Sequence, residues 1–170
     1  MHVWETPEEL LKLQSLLDAS YDSGGPHLKD IITPERRLSA EELCERLQGM
    51  CLLAVATVTA NGRPLVGPVD SYFIHGSFFF SSGRQSVKMR HLAARPHVSA
   101  IYLPNEQLSI SVHGQVELFD VLDPTHAELR EAMLAHYAPT QGPAFEEWMI
   151  EEDPLGARID ASKIFTFHMS

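Results

Sequence analysis

The sequence is short of cysteine, of basic residues and of long apolar runs, and each shortage excludes a class of protein. Its two cysteines, Cys44 and Cys51, are too few for a disulfide framework, and we expect both to be buried thiols rather than redox or metal ligands. Lys and Arg total 13 against 23 Asp and Glu, and the net charge of -10 argues against nucleic-acid and membrane-surface partners. No apolar run is long enough to span a bilayer and the first residues carry no signal pattern, so a cytoplasmic protein is predicted.

Common catalytic and metal motifs are also missing. The sequence has no Gly-x-Ser-x-Gly elbow, no phosphate loop and no dinucleotide fingerprint. Its nine histidines form no cluster with zinc spacing, because His91 and His97 are separated by a helix end and Pro96. His113 falls on the polar face of a strand, where a hydrogen-bonded surface or interface histidine is expected. No metal site is therefore predicted.

The first fifty residues are predicted to be helical and the remainder to be built around strands. Two capping boxes, Thr6–Glu9 and Ser39–Glu42, each begin a helix, and the second helix is expected to reach Gln48 with Gly49 as its left-handed cap. Between them, "YDSGGPHLKD" indicates a loop. We therefore divide the single compact domain into a helical extension, residues 1–50, and a barrel, residues 51–170.

From Cys51 the apolar pattern changes to a period of two. Strands are expected at 51–59, 65–74, 77–82, 97–103, 108–119 and 163–169. Turns are predicted at "ANGRP" and His75-Gly76, a short helix at 86–94, a helix from Asp123 to about Tyr137, and mostly loop over 138–160. The fold class is mainly β: a six-stranded antiparallel barrel with flanking N- and C-terminal helices.

One cationic turn interrupts this acidic chain. No acid occurs between Asp70 and Glu106, and the stretch 81–99 carries Arg84, Lys88, Arg90 and Arg95. A lysine in the first turn of a helix is unfavourable unless an anion lies between it and the helix N-terminus. Hydroxyls from three nearby serines would add donors, so we predict a phosphate or another compact anion here. Alternatively, these cations form a solvated face that pairs with the acidic helices at the chain ends.

The segment from Cys51 to Asp120 resembles the flavin-binding split-barrel family of pyridoxamine 5′-phosphate oxidase. The resemblance lies in "LLAVATVTANGRPLVGPV", "FFFSSGRQSVKMRHLAARPHVSAIY" and "LSISVHGQVELF", which match the family pattern in order and spacing over about 70 residues. It implies a split barrel that binds FMN at the interface of a homodimer. It also implies an oxidoreductase that moves a hydride through the flavin N5 to a small molecule, with no acid or base identified.

The resemblance also assigns cofactor-binding positions. The FMN phosphate positions are Ser82, Ser86 and Lys88. The strand against the isoalloxazine ring carries Val66, Pro68 and Val69. Ser81 and Arg84 lie in the same turn as the phosphate positions and complete the predicted site.

Several departures from the oxidase leave alternatives open. Val87 and Val66 stand where the oxidase has basic residues, so Arg84 or Arg63 is expected to supply charge instead. The arginine- and histidine-bearing motif near the oxidase C-terminus is missing, which predicts a different substrate. The alternatives are an F420-dependent reductase, a carrier of flavin or of haem through His113 or His168, and a cofactor-free binding module. Trp148 is predicted either to cover a cofactor edge or to anchor the C-terminal segment.

Overall fold

Six antiparallel strands form a closed barrel in the computed structural model, which describes residues 4–170. The strands are β1 (Met50–Val58), β2 (Pro64–Ile74), β3 (Ser77–Ser82), β4 (His97–Asn105), β5 (Leu108–Asp120) and β6 (Leu155–His168). Their order around the barrel is β1-β2-β3-β6-β5-β4. The predicted antiparallel barrel with flanking helices is confirmed. Met1, His2 and Val3, the start of the predicted helical extension, lie outside the described residues.

Alternation of apolar and polar residues places the core inside the barrel. On β5, Leu108, Ile110 and Val112 are buried, while the serines between them lie on the other face. β1 contributes Leu53 and Val55, which are fully buried. The burial of β1 and of the first half of β5 therefore follows the period-two pattern, whereas Phe78, Phe79 and Phe80 of β3 are all buried because helices cover its outer face.

The last strand is twice as long as predicted. β6 spans Leu155–His168, so the expected loop over 138–160 and the expected strand start at residue 163 are both wrong. β6 contains a bulge, because His113 pairs with Lys163 whereas Gly114 pairs with Ala161. The extra residue, Ser162, shifts the inward-facing positions from odd to even numbers, and this shift hides the strand from a period-two pattern.

Six α-helices surround the barrel. They are α1 (Pro7–Asp22), α2 (Pro26–Ile31), α3 (Ala40–Arg46), α4 (Val87–Ala94), α5 (Ala127–Gln141) and α6 (Ala144–Glu152). Two 3-10 turns, Pro34–Arg36 and Pro124–His126, precede α3 and α5. Among the helices of residues 4–170, none combines the length and apolar content needed to cross a bilayer.

Three helix predictions needed correction. α2 lies within the expected loop "YDSGGPHLKD", because Pro26 begins a new helix directly after Gly25. α3 ends at Arg46 rather than Gln48, although Gly49 has the expected positive φ of 71°. α6 is a helix of 9 residues where at most one turn was expected, since Gly142-Pro143 only interrupts the helical segment.

The N-terminal helices pack on β6 and close the barrel on that side. Leu13 and Leu17 of α1 are buried in the same apolar cluster as the barrel interior. Ser20 Oγ accepts a hydrogen bond of 3.0 Å from the backbone N–H of Ile164. Thr166 Oγ1 likewise accepts from the N–H of Leu38 at 2.9 Å. α1 is therefore held by both apolar and polar contacts to one strand.

α5 and α6 cover the outer face of β2 and β3. A second apolar cluster lies between these helices and the strands, formed by Tyr72, Ile74, Phe79, Val121, Leu129, Met133, Phe145 and Met149. Because Tyr72 and Phe79 pair across the two strands, they present one apolar surface to the helices. This packing fixes the position of α5 and α6 against the barrel wall.

His75 links three elements at the β2–β3 turn. The turn consists of His75 and Gly76, both with positive φ, as a two-residue hairpin requires. The His75 ring nitrogens lie 2.9 Å from a Glu9 carboxylate oxygen and 2.6 Å from a Glu128 carboxylate oxygen. Partial burial lowers the pKa of His75, but the bonds to both carboxylates outweigh it and the pKa is raised. The imidazolium form therefore joins α1, the hairpin and α5.

This arrangement predicts that stability falls in mildly alkaline solution. Because the folded pKa of His75 is raised, its contribution is complete below the unfolded pKa of about 6.5 and is lost as pH rises through the folded value. The loss should be at most about 1 kcal/mol, since the groups are partly exposed. Urea unfolding at pH 6 and pH 8.5 should show this loss in the native protein and not in His75→Asn.

Asparagine tolerates the positive φ at this position, so His75→Asn tests the charge rather than the turn. The exposed His27→Asn is the matched control and should keep the pH dependence of the native protein. If the free energy of unfolding of His75→Asn fell between pH 6 and pH 8.5 as much as that of the native protein, His75 would not be the group responsible. At the acid end, the lowered pKa of Glu9 makes its contribution present above about 4.5 and lost on further acidification.

Candidate functional site

A cavity of about 390 Å³ lies where β2, β3 and α4 meet the C-terminal helices. The barrel side of its wall contains Pro68, Val69, Asp70, Tyr72, Ser81, Ser82 and Lys88. The helical side contains Met133, Tyr137, Gln141, Phe145 and Trp148. Five of the eight residues predicted for the cofactor site, Pro68, Val69, Ser81, Ser82 and Lys88, are therefore brought to one cavity.

The N-terminus of α4 forms one end of this cavity. Ser86 is the N-cap, and its hydroxyl accepts a hydrogen bond of 3.2 Å from the N–H of Met89. The Ser82 hydroxyl donates to Ser86 Oγ at 3.1 Å, so the end of β3 is joined to the start of the helix. Ser86 does not line the cavity itself, but it positions Ser82 at its wall.

Lys88 is the cation at this end of the cavity. It is half-buried in the first turn of α4, and no carboxylate among residues 4–170 forms an ion pair with it. Its ammonium lies 3.5 Å from where a Cβ on Gly67 would be, so the missing side chain leaves room beside β2. A lysine at a helix N-terminus with no acid partner is unfavourable, and a bound anion would offset this cost.

Arg84 lies in the same turn but faces elsewhere. Its guanidinium hydrogen-bonds to Asp153 at 3.1 Å and also to Asp120. It therefore ties the end of β3 to the end of β5 and to the residue that follows α6. Arg84 therefore does not bind an anion in the cavity. It matches the alternative interpretation of the cationic turn, in which the cations pair with acids near the helices at the chain ends.

The remaining predicted residues lie on β2. Val66 has 73% of its surface exposed and does not line the cavity. Pro68 follows it on the same outer face, while Val69 is buried and points to the barrel interior. Arg63 is exposed in the β1–β2 turn. The outer face of β2 thus leads from an exposed apolar stretch into the cavity.

The helical side of the cavity was not anticipated from the sequence, apart from Trp148. Tyr137 donates a hydrogen bond to the Asp70 carboxylate and stacks on Phe145 with ring centroids 4.5 Å apart. Phe145 in turn stacks on Trp148 at 5.6 Å. Trp148 lines the cavity, which fits the interpretation that it covers a bound ring. The only sequence signal was its position as an aromatic residue in an otherwise acidic segment.

Other polar side chains do not form a second reactive centre in the described part of the chain. Burial raises the pKa of Cys44 to about 12 and of Cys51 to about 11, so both are unreactive thiols, as expected. His113 shares a hydrogen bond of 2.8 Å with Ser99, in line with a satisfied polar-face histidine. Within residues 4–170, no group of three or more His, Cys, Asp or Glu is placed to hold a metal ion.

Comparison with known families identifies the chain. Residues 39–163 match the family model described as pyridoxamine 5′-phosphate oxidase. The chain belongs to the pyridoxamine 5′-phosphate oxidase family. The match extends from the capping box of α3 to β6 and includes every cavity residue. A comparison with curated protein sequences gave no match.

Solved structures similar to this chain include a haem protein, an F420 reductase and a FAD-binding protein. HutZ, the haem storage protein of Vibrio cholerae, has a TM-score of 0.62 at 18% identity over 75% of this chain and 93% of its own. An F420 reductase has a TM-score of 0.54 at 23% identity over 69% of this chain and 91% of its own. A FAD-binding protein from Mesorhizobium loti has a TM-score of 0.56 at 20% identity over 79% of this chain and 98% of its own. These likenesses establish the fold alone.

If Lys88 serves to bind an anion, it should lower the stability of the protein when no anion is bound. In cofactor-free protein, Lys88→Gln should leave stability unchanged or raise it by about 0.3–1 kcal/mol, because it removes a positive charge from the helix N-terminus. Ser86→Ala should instead lower stability by about 1 kcal/mol through loss of the cap. Urea unfolding measures both, with the exposed Arg90→Gln on the same helix as control. A large destabilisation by Lys88→Gln would mean that Lys88 serves the fold.

Proposed function

We propose that this family member is a homodimeric, FMN-dependent oxidoreductase whose substrate is not pyridoxamine 5′-phosphate. The observation that carries the proposal is Lys88, a cation at a helix N-terminus that has no acid partner within residues 4–170 and lies beside serine hydroxyls in a cavity. This donor set suits a phosphate monoester, which is a compact dianion that accepts several hydrogen bonds. Lys88 and Ser82 would hold the FMN phosphate directly. Ser86 would orient Ser82.

The outer face of β2 supports a place for the flavin ring. Val66 and Pro68 are exposed and apolar, and they lie next to the cavity on the same strand. We infer that the ring lies along these residues, so that Lys88 holds the phosphate and β2 orients the ring. A bound flavin supplies hydride transfer. The chain itself supplies position, a dry apolar surface and exclusion of water on the helical side.

Of FMN, F420 and haem, FMN fits this chain best. The cationic end offers one lysine, because Arg84 is held by two carboxylates. The single phosphate of FMN can be held by one lysine together with hydroxyl donors. The longer charged tail of F420 would need further cations. The haem alternative would use His113 or His168, and neither of them lines the cavity that contains Lys88. The reaction class is oxidation or reduction of a small molecule.

Phosphate recognition gives a direct test of the cofactor. Lys88→Gln should weaken FMN binding about tenfold or more, because a charged hydrogen bond contributes roughly 1.5–3 kcal/mol. It should leave riboflavin binding unchanged, since riboflavin has no phosphate. Fluorescence titration of both flavins measures these affinities.

Arg90→Gln is the matched control, because it removes a charge from the exposed side of the same helix. An unchanged affinity of Lys88→Gln for FMN would refute the phosphate assignment. The mass of the molecule released from denatured, freshly purified protein provides an independent check, since FMN, F420 and haem differ in mass. Release of F420 or haem would replace FMN in the proposal.

An exposed apolar surface on the barrel wall supports the homodimer. Leu52 is 55% exposed and Val66 is 73% exposed, and Ala54 and Pro68 lie between them as a cross-strand pair. Leu103 of β4 is 58% exposed on the neighbouring strand. A contiguous apolar surface of this kind is typical of a protein interface. We infer that a second copy covers it, which places the flavin ring at the interface.

Charge introduced into this surface should separate the subunits. Leu52→Glu is expected to convert a dimer of twice the 19.0 kDa chain mass into a monomer, because it would bury an unpaired carboxylate in the interface. Leu11→Glu is the control, since Leu11 is 72% exposed on α1, far from this surface in the fold. Analytical ultracentrifugation distinguishes the species. A native protein that sediments as a monomer would contradict the proposal.

A further inference from the structure

The cavity has a second compartment beyond the cationic end, between the outer face of β2 and helices α5 and α6. We call it the α5–α6 compartment and define it by Asp70, Tyr72, Met133, Tyr137, Phe145 and Trp148. Alternate residues on β2 face the same side, so Pro68, Asp70 and Tyr72 follow one another along the outer face. The compartment therefore adjoins the stretch proposed to carry the flavin ring.

An aromatic stack forms the helical wall of this compartment. The rings of Tyr137 and Phe145 are inclined by 25°, and those of Phe145 and Trp148 by 30°. Tyr137 is partly buried and Phe145 is fully buried, whereas Trp148 is 48% exposed at the end of the stack. An indole ring that lines a cavity and keeps half its surface free offers an apolar face to another planar ring.

Tyr72, Tyr137 and Asp70 form the polar part of the compartment wall. The Tyr72 side chain is buried, with 4% exposure, and its hydroxyl lies beside that of Tyr137 rather than in open space. The Tyr137 hydroxyl donates to Asp70. Burial raises the pKa of Tyr72, and Tyr137 and Asp70 raise it further, so the phenol keeps its proton. Asp70 is half-buried and lines the cavity, so it is the polar group of this wall that a ligand can reach.

The charge of the compartment is negative. Asp70 is its one acidic side chain, and Lys88 is the one cation in the lining of the whole cavity. An anionic ligand would be repelled here, while a cation or a hydrogen-bond donor would be attracted to Asp70.

We propose that the α5–α6 compartment is the substrate site and that it selects a neutral or cationic planar ring. The ring stacks on Trp148, and Asp70 attracts its positive charge or its N–H group. The proposal rests on the proposed function, because the substrate must lie beside the flavin ring on β2. It assigns a substrate class opposite in charge to a phosphorylated ring.

Three pyridine compounds with one shared ring test the charge selection. 1-Methylnicotinamide is a cation, nicotinamide is neutral and nicotinate is an anion. Isothermal titration should show that the cation binds about tenfold more tightly than the anion, because Asp70 interacts with the two charges in opposite directions. Asp70→Asn should bring the two affinities within about threefold of each other.

A further variant tests the stacking. Trp148→Ala changes an exposed ring and should fold normally, yet it should weaken all three compounds by a similar factor. Glu147→Gln on the exposed side of α6 is the control and should change none of the affinities by more than about twofold.

The titrations are run on FMN-treated and on untreated native protein, with flavin absorbance recorded separately. Failure to take up FMN would refute the proposed function, while charge selection in the untreated protein would still support the compartment. Equal affinities for cation and anion in the native protein would overturn the substrate class. Unchanged selection in a folded Asp70→Asn, or unchanged binding in Trp148→Ala, would overturn the assignment of the site.

Discussion

Pairing of β6 with both β3 and β5 closes the barrel, and the candidate site depends on this closure. Leu155, the first residue of β6, pairs with Ser82 on one side and with Asp120 on the other. The ends of β3 and β5 therefore meet at the start of β6, directly after α6. Arg84 strengthens this junction through its two carboxylates. Because α6 leads into β6, the closure also brings Trp148 and Phe145 against the wall of the cavity.

The cationic turn divides its charges between structure and binding. Arg84 is a planar, permanently charged donor, and it bridges two carboxylates from separate elements. Lys88 carries a compact charge on a flexible stem and has no such partner among the described residues. The two cations are close in sequence, but Arg84 is paired with acids and Lys88 is not. The net charge of the chain is negative, so an anion is attracted to this turn through Lys88, whose charge no described carboxylate pairs.

The sequence allowed most of the barrel to be predicted, because β1 to β5 are rich in strand-forming residues and the first two turns carry local signals. β6 could not be recognised over its full length, since the bulge at Ser162 changes which residues face inward. The cationic end of the cavity was also predictable, because Ser82, Ser86 and Lys88 are close together in sequence. The α5–α6 compartment could not be predicted. Asp70 and Tyr137 are distant in sequence, and only tertiary packing reveals their contact.

The two ends of the cavity differ in how freely their residues can change. At the cationic end, Ser82 ends a strand and Ser86 caps a helix, so substitutions of these two serines affect folding. On the helical side, α5 and α6 are held by their own buried residues, such as Leu129 and Met149, which lie outside the cavity. The exposed Gln141 and Trp148 can therefore vary at little cost to packing. A barrel of this family can thus keep one cofactor position while neighbouring helices adapt to different substrates.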